Sequence, residues 1–432
     1  MSSQPLSDFA THVELIDIIQ SFCAHEDLLA LTSVNKRALA TRFCNSRLQK
    51  LFLKTVDDTK QFLFYCQAIL EQEITSRQLD PALSFDTTTR FIPFAREHLR
   101  KIKVLTLTLS DQFTAEQYDL LFTYLPGIQH LTINLTTPGG HLLALLLNTT
   151  QRLTLHNLTI SNFSPSVADD DEYEDENEIA EDNLPDELWQ LTTLETLTIR
   201  DCKDVVSIPE GIGQLSALKA LTLDNVDSLE TLPASLWQLN KLEALTLKRP
   251  YFITTLSEDI GQLTALKSLT LQNMPLLNAL PASLWQLDKL EVLTLRALQI
   301  TALPEDIGQL NALKSLTLNT MPSLNVLPAS LWQLDKLEAL TLKGLWVTAL
   351  PEDIGQLTAL KLLTLQRMQL FKALPIGLRQ LNKLEALTLN DLPITALPDE
   401  MGQLKALKVV ELINMKRLET LPGKLAQIVV RK

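Results

Sequence analysis

Between Leu184 and Leu421 one pattern dominates the chain: a leucine or isoleucine followed by proline, or by serine at Leu256, returns at steps of 24 residues and then alternately of 23 and 24. Other apolar residues keep fixed offsets from this pair. A period of this length is the mark of a solenoid built from stacked coils. Each coil contacts only its neighbours, so the array makes an elongated binding surface rather than a closed pocket. That constraint points to recognition before any residue chemistry is considered.

One unit runs Leu337-Glu338-Ala339-Leu340-Thr341-Leu342-Lys343, turns through Val347, passes Leu350-Pro351 and ends at Ile354-Gly355-Gln356-Leu357. The alternation in Leu340-Thr341-Leu342 has period two, which predicts a short strand with leucines inward and threonine outward. Stacked copies give a parallel sheet on a concave face. The Pro-Glu-Asp-Ile segment predicts a short helical turn on the convex side, with proline at the first helical position and acids at its N-terminal end.

The coils come in two flavours. One carries Leu-Trp-Gln-Leu (Trp189, Trp237, Trp285, Trp332) and the other a glycine at the same offset (Gly213, Gly261, Gly308, Gly355, Gly402). Bulky-over-small packing predicts each indole in the notch beside a glycine; an aromatic binding stripe is the alternative. Charge alternates just before each strand, from Glu195, Lys219 and Glu243 through Glu385 and Lys408. With coils roughly 4.8 Å apart, this predicts a ladder of opposite charges.

The pattern resembles leucine-rich-repeat proteins over more than half the chain, most closely the repeats of intracellular immune sensors and their bacterial mimics. The resemblance implies an α/β leucine-rich-repeat solenoid. One departure stands out. The turn position that the family fills with asparagine is here Cys202, Val226, Met274, Leu298, Met321, Leu345, Met368 and Leu392. The family's asparagine ladder is therefore missing, and the recurrent Gln190, Gln214, Gln238 and their equivalents to Gln403 are expected to satisfy backbone groups in its place.

Formal charge is −13, but ten acids fall within residues 169–182. Without them the chain is near −3, which argues against nucleic-acid binding by charge. The acidic run reads as a solvated loop inserted in the solenoid. Four scattered cysteines suit a reducing compartment. No secretory signal pattern and no apolar stretch of membrane-spanning length is visible, so the expectation is a cytoplasmic protein without a membrane partner. The near-identical coils read as recent internal duplication, a character shared by eukaryote-like proteins of intracellular bacteria. A secreted effector delivered into a host cytosol is thus among the readings.

Before the repeats, Leu15, Ile16, Ile19 and Phe22 share one face of a predicted first helix. Asp27 can cap a second with Leu28, Leu31 and Val34 inside, and a third is expected from about Lys36 through Leu51. This α-helical N-terminal domain resembles the F-box: Glu14, Leu15, Ile16, Ile19, Ser21, Asp27, Leu28, Leu31, Val34, Asn35 and Lys36 match its pattern in order and spacing. Thr11-His12 replaces the family's opening Leu-Pro, and Cys23 stands where leucine is usual. The resemblance implies that Glu14, Leu15, Ile16, Ile19, Asp27, Leu28, Leu31 and Val34 engage the Skp-type adaptor of a cullin ubiquitin ligase. A plain helical cap is the alternative. The organisation expected is an F-box-like module at 1–55, a helical linker at 56–98, irregular repeats at 99–168 (beginning Leu105-Thr-Leu, Leu131-Thr-Ile and Leu153-Thr-Leu), the acidic loop at 169–183, and regular repeats with a C-terminal cap at 184–432.

Residues for chemistry are sparse. No histidine lies in the regular repeats, and neither His-x-x-x-His nor Cys-x-x-Cys occurs. Cys202-Lys203-Asp204 matches the Cys-x-Asp nucleophile of some bacterial ubiquitin ligases, but it sits at the apolar turn offset of a repeat. No enzyme activity, metal or cofactor is expected. A binding face is. Threonines form a column along the strands, and two residues on stand Arg200, Asp224, Lys248, Gln272, Arg296, Asn319 and Lys343. Tyr251, Phe252, Trp346 and Phe371 fall in the turns after the strands, and exposed aromatics and arginines are typical interface anchors. Arg200, Lys248, Tyr251, Arg296, Lys343 and Trp346 are the expected recognition patch for an acidic or mixed protein surface. Two functions follow: a substrate adaptor bringing a target to a cullin-type ligase, or a protein-binding scaffold or immune-sensor-like receptor without ligase recruitment.

Overall fold

The computed structural model describes residues 44–45, 50–53, 100–109, 114–136, 140–151, 153–164, 184–421 and 429–431. The F-box-like residues 13–36, the linker at 56–98 and the acidic run at 169–183 lie outside them. Two compact units are distinguished, one of residues 1–181 with 185–194 and one of 182–184 with 195–432.

In the first unit, β3 (Val104–Leu109), α1 (Ala115–Tyr124), β4 (His130–Leu135), α2 (Gly140–Thr150) and β5 (Asn157–Ser161) alternate, with the three strands parallel. Before them, β1 (Cys44–Asn45) pairs antiparallel with β2 (Lys50–Leu53), and β2 pairs parallel with β3. These strands replace the end of the helix expected over 36–51. Leu51 and Leu53 register with Leu105 and Leu107, so this segment follows the period-two pattern of the repeats rather than a helical one. The third irregular repeat also differs from expectation. Its strand is Leu158-Thr159-Ile160, not Leu153-Thr154-Leu155. The Leu153 N–H instead closes the end of α2 on Thr150 O at 2.8 Å, and only the later triplet registers Thr159 with Thr132.

The second unit repeats one coil. Strands β6 (Thr196–Arg200), β7 (Ala220–Asp224), β8 (Ala244–Lys248), β9 (Ser268–Met274), β10 (Val292–Leu298), β11 (Ser315–Met321), β12 (Ala339–Leu345), β13 (Leu362–Gln366), β14 (Ala386–Asn390), β15 (Val409–Ile413) and β16 (Val429–Arg431) pair in chain order, all parallel. The leucines of each Leu-Thr-Leu are buried, and every threonine from Thr198 to Thr388 registers with the next. Burying a leucine is worth about 1.5–3 kcal/mol. A single coil leaves its leucine faces open to water, so the stack rather than the coil is the folding unit.

Opposite the strands each coil makes a five-residue 3-10 turn such as Glu305–Gln309 or Ala329–Gln333. Proline, or Ser257 in the coil of Glu258–Gln262, stands just outside it, at the capping position rather than the first helical one. There its carbonyl accepts the first turn hydrogen bond, as from Ile307 N–H to Pro304 O at 3.2 Å. A five-residue 3-10 turn needs only that one bond to start, and the extended ψ at proline sets the approach.

All four repeat tryptophans are buried, as the packing reading expects, but the space beside Gly213, Gly261 and Gly308 belongs to a serine, and that beside Gly355 to Gly377 and Gln380. A Cβ on Gly213, Gly261 or Gly308 would meet Ser235, Ser283 or Ser330 of the following coil. The glycine thus admits the neighbouring turn. Nor do the conserved-looking glutamines replace the missing asparagine ladder. Their side chains are exposed, and Gln262, Gln309 and Gln356 donate to Asp259, Asp306 and Asp353 within their own turns. The apolar column from Cys202 to Leu392 is buried, and the turn closes through backbone bonds such as Leu277 N–H to Met274 O.

Candidate protein-binding face

The register of the sheet brings the predicted cations onto one line. Arg200 pairs with Asp224, Asp224 with Lys248, Lys248 with Gln272, Gln272 with Arg296, Arg296 with Asn319, and Asn319 with Lys343. These residues end the outward face of their strands. Tyr251 and Trp346 lie in the turns just beyond, 38% and 59% exposed. All six residues of the expected patch therefore sit along the strand-exit edge of the second unit.

Phe371 does not join them. It is fully buried, because it takes the core position held by Leu229, Leu277 and Leu324 in equivalent coils. The exposed tip of that turn is Leu370, one coil after the exposed Trp346. Phe252, 54% exposed, and Leu276 are likewise the exposed tips of two successive turns. Two apolar tips thus flank a polar stretch in which the Ser323 hydroxyl donates to Gln299 Oε1 at 3.4 Å.

Charge separates across the sheet. At the strand starts Lys219, Lys267, Lys314, Lys361 and Lys408 each pair with the glutamate of the preceding coil, at 2.6–2.9 Å. The close pairs fall at every second junction. Across the junctions between them Lys219, Lys314 and Lys361 still attract Glu243, Glu338 and Glu385, so the ladder of opposite charges alternates tight and loose steps. Lys267 and Lys361 hold Glu243 and Glu338 below the usual glutamate range. At the strand exits the balance is different. From Lys248 to Leu374, the segments running from each strand end to the next Leu-Pro step contain Lys248, Arg249, Arg296, Lys343, Arg367 and Lys372 and no acid. Of these, Arg249 is paired with Asp224 at 2.7 Å, whereas Lys248, Arg296 and Lys343 have no ion-pair partner among the described residues.

Two features of this scaffold escaped the sequence reading. The residue after each five-residue strand core has a left-handed backbone, φ 50 to 63°, at Asp201, Asn225, Arg249, Asn273, Ala297, Thr320, Gly344, Arg367, Asp391 and Asn414. That conformation turns the chain out of the sheet; the Asn225 N–H, for example, reaches Lys248 O at 2.8 Å. Asparagine, aspartate and glycine tolerate it best, and their frequency at this offset was the available signal. The second feature is a carboxylate clamp. Glu210 accepts from the N–H groups of Ala234 and Ser235, at 3.0 and 2.8 Å, and Glu258, Glu305 and Glu352 do the same on later coils. Each clamp satisfies the free donors at the start of the next 3-10 turn. The Ser235 side chain and N–H hold Glu210 below the ordinary value.

Cys202 is buried, its thiol donating to Arg200 O. No group of three or more His, Cys, Asp or Glu that could hold a metal ion occurs among the described residues, and none of their helices is long and apolar enough to cross a membrane.

No protein-family model matches the chain, and no curated protein does. Among solved structures the Drosophila Toll–Spatzle complex aligns with a TM-score of 0.57 at 17% identity, over 81% of this chain and 46% of that one. A leucine-rich-repeat protein of Leptospira interrogans is 24% identical over 79% of this chain and 98% of its own, with a TM-score of 0.40. The ectodomain of the Arabidopsis thaliana receptor kinase GASSHO1/SCHENGEN3 gives 18%, 78%, 53% and 0.34 in the same order. The chain spans about half the length of the Toll and GASSHO1 chains. The parallel coils, their 23/24-residue period and the likeness to Toll define the fold as a leucine-rich-repeat solenoid.

Proposed function

We propose that the chain is a protein-binding scaffold whose recognition surface is the strand-exit edge of residues 195–432. The observation that carries this is the six cations, and no acid, in the strand-exit segments between Lys248 and Leu374, with Phe252 and Trp346 exposed in the same segments. Exposed aromatic and cationic groups side by side are how interface anchors are built. The partner surface is acidic or mixed, and the scaffold acts by positioning it. Photo-cross-linking tests this. A photoreactive residue at Gln272 is compared with one at Ala282, which lies in a 3-10 turn. A discrete protein adduct from Gln272 alone, abolished by Arg296→Glu, is expected. Adducts from Ala282 only would sink the reading.

A second reading rests on the residue pattern from Glu14 to Lys36. Here the scaffold tethers its bound target to a cullin-type ubiquitin ligase through a Skp-type adaptor, supplying proximity and no nucleophile. Purified chain and adaptor are mixed, with Leu15→Ala/Ile16→Ala as the control. Wild-type binding lost in the variant supports the tether; absence of wild-type binding by folded protein removes it and leaves the scaffold.

A further inference from the structure

Six strand ends in succession, Lys248, Gln272, Arg296, Asn319, Lys343 and Gln366, alternate cation and carboxamide, each in register with the next. Paired strands lie about 4.8 Å apart, so like residues recur every ~9.6 Å along the line. From this spacing we infer that the strip binds an acidic peptide in the polyproline II conformation, lying across the strands with a carboxylate at every third residue over Lys248, Arg296 and Lys343. The inference rests on the strand-exit edge being the protein-binding surface.

Three geometries can be compared with the strip. Polyproline II has three residues per turn and rises ~3.1 Å per residue, so one face repeats every ~9.3 Å. A pleated strand repeats a face every ~6.8 Å, which brings its carboxylates between the cations. A helix brings residues seven apart to one face at ~10.5 Å, and two such steps drift by nearly 2 Å from the strip.

The carboxamides separate the first from the last. A polyproline II backbone makes no internal hydrogen bonds, so its carbonyls and free N–H groups need partners. Gln272, Asn319 and Gln366 recur at the same ~9.6 Å between the cations, and their side chains can both donate and accept. Asn319 Oδ1 already accepts from the Thr320 hydroxyl at 2.8 Å, which leaves its NH2 group to donate. A helical ligand has satisfied its own backbone and would leave these amides idle.

The charge pattern also selects an acid. Lys267, Lys314 and Lys361 are neutralised by partners at 2.8–2.9 Å at the other end of their strands, while Lys248, Arg296 and Lys343 have no such partner among the described residues. Trp346 and Phe252 stand four coils apart, ~19 Å, at the rim of the same line. Exposed rings at a groove edge are the usual receptors for proline in this conformation.

The test titrates full-length chain into two labelled ten-residue peptides of identical composition, followed by fluorescence anisotropy. One has glutamate at every third position separated by proline pairs; the other has its four glutamates contiguous between prolines. The periodic peptide is expected to bind roughly tenfold tighter, Arg296→Gln to weaken it about tenfold, and Lys361→Gln to change it less than about twofold. Equal affinities for the two peptides, or no effect of Arg296→Gln, would overturn the inference, as would tighter binding of a glutamate-bearing helical peptide. The cross-link from Gln272 is scored in parallel. An Arg296-sensitive adduct without peptide discrimination overturns the polyproline geometry alone, and loss of both signals overturns the protein-binding reading with it.

Discussion

Gly213 and Ser235 share one space between adjacent coils: a Cβ on Gly213 would lie 2.7 Å from the Ser235 Cβ and 3.3 Å from its carbonyl oxygen. Adding that atom forces the 3-10 turns apart, and overpacking of this kind costs about 1–3 kcal/mol. Gly213→Ala is expected to lower the urea midpoint by a corresponding amount. Adding Ser235→Gly to it should recover part of the loss, giving a favourable coupling in a double-mutant cycle. Strictly additive losses would show that the two residues do not compete.

Acid should loosen the stack. Glu258 and Glu305 lie below the ordinary glutamate value of 4.5 because the N–H groups of Ser283 and Ser330 bind their carboxylates. Hydrogen bonds from Lys267, Lys361 and Lys408 lower Glu243, Glu338 and Glu385 in the same direction. A carboxylate lowered on folding contributes fully above its unfolded value and loses that contribution as pH falls through the folded one. Thermal midpoints followed by circular dichroism should therefore be level from pH 7 to about 5 and drop below 4.5. In Glu258→Gln/Glu305→Gln the drop should be shallower, from a lower plateau. An unchanged slope would remove the clamps from the account.

Thr320 holds φ +54° with a β-branched side chain, and Ala297 holds +52°. The left-handed region costs an L-residue roughly 1–2 kcal/mol, part of which glycine gives back as unfolded-state entropy. Thr320→Gly is expected to raise stability by about 0.5–1 kcal/mol. Gly344→Val, placing a branched residue at the equivalent φ of +60°, should lower it. Denaturant midpoints that fall for Thr320→Gly would show that its hydroxyl bond to Asn319 outweighs the strain.

Trp346 and Phe371 follow strands in neighbouring coils with opposite fates, 59% exposed against fully buried. Trp346→Ala should leave stability within about 0.5 kcal/mol while reducing partner binding. Phe371→Ala should cost about 3–5 kcal/mol. The reverse ranking in chemical denaturation would displace Phe371 from the core.

Most of the coil was legible because its causes are local. The alternation around Thr341 specifies a strand, and the leucines at fixed offsets specify what faces inward. The partners of Glu210 were not legible, since Ala234 and Ser235 become its neighbours only once coils of 24 residues are stacked. The left-handed column was hidden for another reason. The backbone there is set by where the strand must end, so residues as different as Arg249, Ala297 and Thr320 occupy it under strain, and no single letter announces it. Phe371 misled because the 24-residue coils place one more residue in the turn than the 23-residue coils, which moves the exposed tip to Leu370. Leu153-Thr154-Leu155 and Leu158-Thr159-Ile160 are equally strand-like triplets, and only pairing with β4 chooses between them.

The two kinds of junction in the second unit impose a rule of parity. Glutamate clamps and glycine–serine contacts join a glycine coil to the tryptophan coil after it, as at Glu210 and Ser235; lysine–glutamate pairs join that coil to the next glycine coil, as at Glu243 and Lys267. Excising one coil would set lysine against lysine or glutamate against glutamate and leave a clamp facing the wrong turn. Excising two restores the alternation of clamps and lysine–glutamate pairs. The array is therefore free to lengthen or shorten across generations only by even numbers of coils, and each such step shifts the line of cations by one whole interval, so that the reach of the surface changes while its spacing is preserved.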